Sequence, residues 1–263
     1  TFTRGDNYAA QTGLAITQGI GIDMRFSYDQ LRNESTTTNG NTSISGLGKG
    51  TPFPELTLNI SGLEKIPFFR KVANTVSFSS NFTPQHKTVW VNTPSNTTGE
   101  DDTKSFRPFI KVNVNWKNGM ITSVQVNSLE GLKATFDPRT GQAYGRTKTY
   151  SRDLSITHTY SKRSGFRIPI WFLKNKELKN TIDLSISFTS RKSSTQAARG
   201  EITDFEDVDN SSSWSFEPKM TYSFSTRVRG GAHFTVGKNT SLRAGETKIK
   251  ELSIDVNISI RGN

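Results

Sequence analysis

Residues 14–28, LAITQGIGIDMRFSY, decide the fold, because apolar side chains fall on every even position except Gln18. Successive side chains of a β-strand point to opposite faces, so this stretch would have one apolar face and one polar face. The pattern predicts an all-β protein whose sheet has lipid or a core on one side and water on the other. The same alternation recurs in Leu56/Leu58/Ile60, Val76/Phe78/Phe82, Ile110/Val112/Val114/Trp116, Leu154/Ile156/Tyr160, Ile182/Leu184/Ile186/Phe188, Met220/Tyr222/Phe224 and Leu252/Ile254/Val256/Ile258/Ile260.

The composition favours a membrane barrel over a soluble sandwich. Only 32% of the 263 residues are hydrophobic, whereas a soluble sandwich should contain more aliphatic side chains. A transmembrane β-barrel tolerates this composition because its interior is wet and its loops are polar. No apolar stretch approaches the roughly 20 residues of a membrane-spanning helix. The chain has no cysteine, which excludes disulfides and thiol chemistry.

The net charge of +11 raises the question of a nucleic-acid partner. Lysine and arginine are scattered through turns and polar strand positions, without a cluster on one element. We therefore predict no nucleic-acid partner, and we attribute the charge to a solvated surface or a basic lumen. The chain begins with polar residues ahead of an already long strand, so we expect it to be a piece of a longer protein.

The alternation predicts one domain, residues 1–263, of about ten antiparallel strands. Long polar outer loops are expected at 33–51, 84–107 and 191–212. Long loops on one side and short periplasmic turns on the other are the arrangement of outer-membrane barrels. The predicted strands lie near 13–29, 54–62, 72–83, 106–117, 120–136, 146–160, 181–190, 213–228, 232–238 and 249–261.

Short turns are predicted at 117–119 and 229–231. Each ends in glycine, which suits the left-handed position of a three-residue hairpin with a bulge. An even number of strands would leave both ends of the chain on the periplasmic side. Pro218 falls inside a strand and cannot donate to the ladder, so we expect a bulge there, with Met220 onward inside the bilayer.

Two connections on the predicted periplasmic side break the rule that loops are polar. Each has an Ile-Pro pair followed by aromatic residues and flanked by lysine or arginine. They suit the lipid headgroup level, where aromatic side chains anchor and cations reach phosphates. A turn packed on the barrel rim or on a partner is the equal alternative. The candidate anchors are Ile66, Pro67, Phe68 and Phe69 in the first segment, and Ile168, Pro169, Trp171 and Phe172 in the second.

No catalytic or metal-binding constellation can be assembled. His86, His158 and His233 have no ligand spacing, and no nucleophile elbow is present. The sequence therefore predicts no enzyme, no metal and no cofactor. Charged residues on the polar side of the strands are the remaining functional candidates, since they would tune what passes through a pore. A merely solvated face is an equally good explanation for these lumen candidates, Asp23, Arg25, Lys111, Lys219, Arg227, Glu251 and Asp255.

Several segments, in this order and spacing from about residue 50 onward, resemble the C-terminal part of the SprA/Sov family. That family is the giant outer-membrane translocon of the type IX secretion system, which gliding bacteria also need for motility. The segments are residues 58–71 (LNISGLEKIPFFRK), 168–172 (IPIWF), 178–185 (LKNTIDLS), 221–225 (TYSFS) with Gly230 and Gly231, and 255–262 (DVNISIRG).

The resemblance implies an antiparallel transmembrane β-barrel sector, the closing C-terminal part of a much larger single-chain barrel in the bacterial outer membrane. The implied function is passage of folded secreted proteins across that membrane. Implied partners are membrane lipid, secreted protein cargo, a plug protein, a porin-like protein at a lateral gate and periplasmic secretion-system proteins. The ending Ile260-Arg261-Gly262-Asn263 lacks the terminal aromatic of many ordinary barrels.

Two other functions remain open from the residues. A self-contained porin would pair its first strand with its last. A soluble adhesin module would have shorter strands and would bury its apolar face against a second sheet.

Overall fold

The computed structural model describes residues 2–34, 39–45, 53–163, 166–167, 177–178, 180–200 and 204–259. The chain is nearly all β, with 80% of residues in strands and 3% in helices. The strands are β1 (Phe2–Thr17), β2 (Ile20–Glu34), β3 (Asn39–Ser45), β4 (Glu55–Ile60), β5 (Ala73–Val91), β6 (Thr97–Trp116), β7 (Met120–Phe136), β8 (Ala143–Lys162), β9 (Phe166–Arg167), β10 (Glu177–Leu178), β11 (Ile182–Arg199), β12 (Glu206–Ser223), β13 (Val228–Ser241) and β14 (Gly245–Ile258).

Twelve of these strands form one antiparallel sheet in which sequence neighbours are spatial neighbours. β3 and β4 share one position, because β3 pairs with Ser27 to Asn33 of β2 and β4 pairs with Ile20 to Arg25. The sheet therefore has eleven strand positions, from β1 at one end to β14 at the other. β9 and β10 form a separate two-stranded ribbon. The all-β antiparallel fold predicted from the sequence is confirmed.

The cross-strand register places most apolar residues of β7, β8, β11 and β12 on one face. Val124 of β7 lies opposite Ile156, Ile156 opposite Phe188, and Phe188 opposite Phe216. We call this side the apolar face and the other the polar face. On β12 the apolar face runs from Trp214 to Tyr222, which at about 3.3 Å per residue is a band of about 26 Å along the strand.

The two ends of the strands differ. The lower edge is the one with the turns at 18–19, 117–119 and 224–227, where the apolar band begins. The upper edge has the turns at 92–96, 137–142 and 242–244, and here the strands extend well beyond the band. Polar residues on both faces still form a ladder, because pairing needs only backbone donors and acceptors.

The long outer loops were therefore predicted too long. Most of 84–107 belongs to β5 and β6, and most of 191–212 belongs to β11 and β12. In 33–51, residues 39–45 form β3, and 35–38 and 46–51 lie outside the described part of the chain. Apolar alternation stops at the edge of the band, whereas backbone pairing continues, so the alternation underestimated strand length.

The stretch 14–28 that decides the fold is a hairpin and not one strand. β1 ends at Thr17 and β2 starts at Ile20, with Gly19 at φ 95° in the turn. A bulge at Ile16 shifts the register, so that Leu14 lies opposite Ile22 on the apolar face. The turn and the bulge together preserve the even-position pattern, which is why the sequence alone did not reveal them.

One of the two predicted turns is correct and one is wrong. The 117–119 turn is present, with Gly119 at φ 85° and its N–H donating to the Trp116 oxygen. Residues 229–231 lie inside β13, and the turn is at 224–227. A Cβ on Gly230 would lie 2.7 Å from the Phe224 ring, so this glycine makes room for an aromatic side chain and does not turn the chain.

Pro218 and the chain ends also differ from expectation. β12 passes Pro218 without a bulge, and the ladder to β11 keeps its register from Thr221 to Asp209. On the β13 side, pairing is interrupted between Phe216 and Lys219, so the ladder does not need the N–H that Pro218 lacks.

The two ends of the sheet differ from the expectation that both lie on one side. With eleven strand positions, Phe2 lies at the upper edge and Ile258 lies at the lower edge.

No helix among the described residues is long and apolar enough to cross a membrane. The helical content includes a 3₁₀ turn, Leu63–Lys65, and the four-residue helix α1, Pro67–Arg70. Both lie between β4 and β5 at the lower edge.

Candidate functional sites on the two faces of the sheet

The polar face carries six of the seven lumen candidates. Asp23 and Arg25 lie on β2, Lys111 on β6 and Lys219 on β12. Glu251 and Asp255 lie on β14. The sheet spreads these charges over four strands and does not gather them into one cluster. Most of their neighbours across the ladder are serine, threonine or glycine, which makes the polar face suitable for contact with water.

Two of the candidate carboxylates lie over glycine on the neighbouring strand. Asp255 is opposite Gly231, where a Cβ would lie 2.5 Å from its Oδ1 atom. Asp23 is opposite Gly13, where a Cβ would lie 2.8 Å from Oδ1. Glycine therefore lets each carboxylate lie close to the sheet surface. This gives a structural reason for glycine inside these strands.

Arg227, the seventh lumen candidate, is not on a strand face. It ends the 224–227 turn, where its carbonyl oxygen accepts a hydrogen bond from the Ser259 N–H. Together with Arg163 and Arg229 it lines a polar cleft of about 640 Å³ at the lower edge. The sequence placed Arg227 on a strand because it placed the turn at 229–231, whereas the turn is at 224–227.

The first Ile-Pro segment folds back over the apolar face. Ala73, Val76 and Val114 form the buried cluster there, and Leu63 and Phe69 pack against it. Phe68 is 75% exposed and Ile66 is 46% exposed. Part of the segment therefore packs on the sheet, and part of it presents apolar surface outward. The role of this segment as a headgroup anchor stays a prediction.

Hydrogen bonds hold this segment in place. The Glu64 Oε2 atom accepts from the Val76 N–H at 3.0 Å, next to a register shift in β5. This bond lowers the pKa of the Glu64 carboxyl, since it favours the charged form. The Lys117 ammonium donates to the Arg70 oxygen at 2.7 Å, which joins the segment to the neighbouring turn.

The second Ile-Pro segment cannot be compared in this way. Ile168, Pro169, Trp171 and Phe172 lie outside the described residues. Their assignment as anchors stays a prediction.

Sequence reasoning missed a cleft of about 800 Å³ on the apolar face toward the upper edge. Phe82, Phe106 and Tyr150 contribute aromatic surface to it, and Lys104 and Lys148 contribute cations. The side chains come from strands that are distant in sequence, and Phe53 reaches the cleft from the end of the β3–β4 connection. The only available signal was that 84–107 contains aromatic residues among polar ones.

The three histidines lie on different strands. His86 is 7% exposed, and its Nδ1 atom lies 2.6 Å from the Asp102 Oδ1 atom. His158 contacts Thr122, and His233 contacts Thr235. Within the described ranges, no group of three histidine, aspartate or glutamate side chains is arranged to hold a metal ion.

The two terminal strands of the sheet are its most exposed part. Every residue of β14 is exposed, including Leu252, Ile254, Val256 and Ile258 at 62–74%. Leu14 of β1 is 58% exposed. In the described part of the chain, β1 and β14 each have one neighbour only. Unpaired strand edges with apolar side chains are templates for further strand pairing.

No protein-family model matches this chain, and no curated protein matches it.

Proposed function

We propose that this chain is a sector of an outer-membrane β-barrel that forms a protein-translocation pore, as in type IX secretion and gliding motility. The single observation that carries the proposal is the two-faced sheet, with a continuous apolar band of about 26 Å on one face and polar side chains on the other. A tilted strand that crosses a membrane has about 9–11 residues, and the apolar band spans nine residues of β12, from Trp214 to Tyr222, so the apolar face would contact lipid and the polar face the lumen.

The open ends of the sheet support a large barrel over a small one. In the described residues β1 and β14 each have one neighbour, so each leaves an edge on which additional strands could pair. Barrel diameter grows with strand number, and a lumen that passes folded proteins needs many more strands than eleven. The missing strands would come from the rest of a longer chain.

The two edges agree with this orientation. Strands extend beyond the apolar band at the upper edge, which would face the cell exterior, and the shorter lower edge would face the periplasm. There, the exposed Phe68 and Ile66 would reach the lipid headgroup level. Plug, lateral-gate and periplasmic proteins remain partners implied by the family resemblance.

The test is photo-crosslinking in cells that secrete cargo, with benzoyl-phenylalanine in place of Thr157 on the polar face. The matched control carries it at Ile156, the neighbouring residue of β8 on the apolar face. We expect secreted proteins to be captured from position 157 and not from 156. Equal capture from both positions, or no capture of secreted proteins from 157, would overturn the proposed function.

A self-contained outer-membrane porin is the second candidate, favoured by the polar face alone. It requires β1 to pair with β14. It would pass small solutes, so position 157 would capture no secreted protein.

A further inference from the structure

Five cations lie on the apolar face at the upper end of the apolar band. They come from four different strands, and we call them the basic belt: Arg152, Lys192, Lys238, Lys248 and Lys250. Trp214 of β12 lies beside them, opposite Lys238. Arg152 lies two residues above Leu154 on β8, and Lys192 lies two residues above Ser190 on β11. Both side chains are therefore on the apolar face, just beyond the upper end of the band.

Like charges face each other within the basic belt. Arg152 of β8 lies directly opposite Lys192 of β11, and Lys238 of β13 lies directly opposite Lys248 of β14. Directly opposed like charges destabilise a sheet. Arg152 and Lys192 form no ion pair with any residue that the structure describes, and both are exposed. The opposed pair Arg152–Lys192 therefore lacks an anion.

The polar face of the same two strands has the opposite arrangement. One residue further along, Asp153 lies opposite Arg191, and the Arg191 Nε atom is 3.4 Å from the Asp153 Oδ1 atom. The ladder thus pairs unlike charges on one face and like charges on the other, at the same height. General surface charging does not explain this difference.

The belt contains one carboxylate. Glu246 lies 2.8 Å from the Lys238 ammonium and 3.5 Å from that of Lys248. The hydrogen bond from Lys238 lowers the pKa of the Glu246 carboxyl, so this residue stays charged. Five cations against one carboxylate leave a net charge of +4 over four strands, on a surface that otherwise contacts the bilayer edge.

We infer that the basic belt binds the phosphate groups of an anionic, phosphorylated glycolipid in the outer leaflet. This rests on the membrane part of the proposed function. The acyl chains would lie along the apolar band, and the phosphates would lie between the opposed cations. An Arg–phosphate contact is bidentate and strong, and Trp214 sits at the band edge, where tryptophan anchors to headgroups.

The experiment uses the full-length protein that contains this chain, purified from outer membranes in detergent, and native mass spectrometry of lipids that remain bound. The probe is bisphosphorylated lipid A, with dephosphorylated lipid A as its counterpart. The test variant is R152Q/K192Q. The control R191Q/R229Q also removes two positive charges, but from the polar face.

We expect the test variant to retain lipid A about 30-fold less well, since each basic residue near a phosphate surface contributes about a factor of five. The control variant should retain it as the native protein does. Dephosphorylated lipid A should be retained poorly by all forms, and millimolar inorganic phosphate should not displace lipid A. Displacement by free phosphate would assign the belt to a soluble anion and overturn the inference.

Flotation with phosphatidylcholine vesicles separates this inference from the proposed function. If the protein floats but all variants retain lipid A equally, the glycolipid site is wrong and the membrane barrel stands. If glycolipid binding follows the prediction while position 157 captures no cargo, the glycolipid site stands and the translocation function is wrong.

Discussion

The indole of Trp90 on β5 packs against Gly40 of β3, and the tryptophan is fully buried. A Cβ on Gly40 would overlap both the Trp90 ring and the backbone oxygen of Leu31. The Trp90 Nε1 atom donates to the Thr42 Oγ1 atom at 3.2 Å, so the buried indole N–H also has a hydrogen-bond acceptor. The polar extension of the sheet toward the upper edge thus has a specific packed centre.

Gly40→Ala should therefore destabilise the upper part of the sheet. Overpacking of this kind costs about 1–3 kcal/mol. The matched control is Gly21→Ala, because a Cβ on Gly21 meets nothing within 4 Å. The free energy of unfolding in detergent, followed by tryptophan fluorescence, measures the difference. Equal stability of the two variants would contradict the packing at Trp90.

Phe69 and Phe68 should differ in their contribution to stability, although they are neighbours. Phe69→Ala removes a half-buried side chain that packs on the Ala73, Val76 and Val114 cluster. We expect a loss of about 1–3 kcal/mol, less than the roughly 3–5 kcal/mol of a fully buried ring. Phe68→Ala removes an exposed ring and should leave the unfolding free energy in detergent within about 0.5 kcal/mol. Urea unfolding of both variants tests this, and a larger loss from Phe68→Ala would contradict the orientation of the segment.

The Glu64–Val76 hydrogen bond should make the lower edge sensitive to acid. The carboxyl has a pKa below its ordinary value of 4.5 in the folded protein, so the bond stabilises fully above pH 4.5. That stabilisation is lost as the pH falls through the lowered pKa. The protection factor of the Val76 N–H against hydrogen exchange, which corrects for the intrinsic pH dependence of exchange, should fall over that range, and in Glu64→Gln this pH-dependent change should be absent.

Glu217→Gln is the control, since it removes a carboxylate from a strand away from the lower edge. Its Val76 exchange should follow the native profile. If Glu64→Gln retained the native pH dependence, Glu64 would not be the group responsible.

Side-chain alternation sets how much of the fold could be predicted from the sequence, because it reports only the face of the sheet on which each side chain lies. Alternation identified the β fold and the faces, since the pattern from Ile182 to Phe188 of β11 places every apolar side chain on one face of the sheet. It could not detect the β1–β2 hairpin, because the bulge at Ile16 keeps the apolar residues on even-numbered positions across the turn. Nor could it find strand extensions such as Lys192 to Arg199, where both faces are polar and only backbone pairing forms the ladder.

The candidate sites were predicted less completely for a related reason. Positions on the polar face follow from parity, which is why Asp23 and Lys219 lie where expected. Contacts between strands depend on register, which the sequence does not contain. The opposition of Arg152 to Lys192 and the approach of Phe53 to its cleft are therefore found only in the folded sheet.

Single cysteines on β11 should separate the lipid face from the water face, since the native chain has no cysteine. Spin labels at Ile186→Cys and Phe188→Cys should collide preferentially with dissolved oxygen, which partitions into lipid. Labels at Ser187→Cys and Thr189→Cys should collide preferentially with a water-soluble nickel complex. The alternation follows from the period of two in a strand. Uniform exposure to the nickel complex would indicate a sheet outside the bilayer.

The central claim is that these strands are one sector of a larger barrel. The mass of the native gene product in the outer-membrane fraction tests it most directly, on a denaturing gel probed with an antibody raised against residues 191–212. A band far above the 29.3 kDa of this chain is the result that the account predicts. A band near 29.3 kDa would contradict it, since the eleven strand positions would then have to close on themselves.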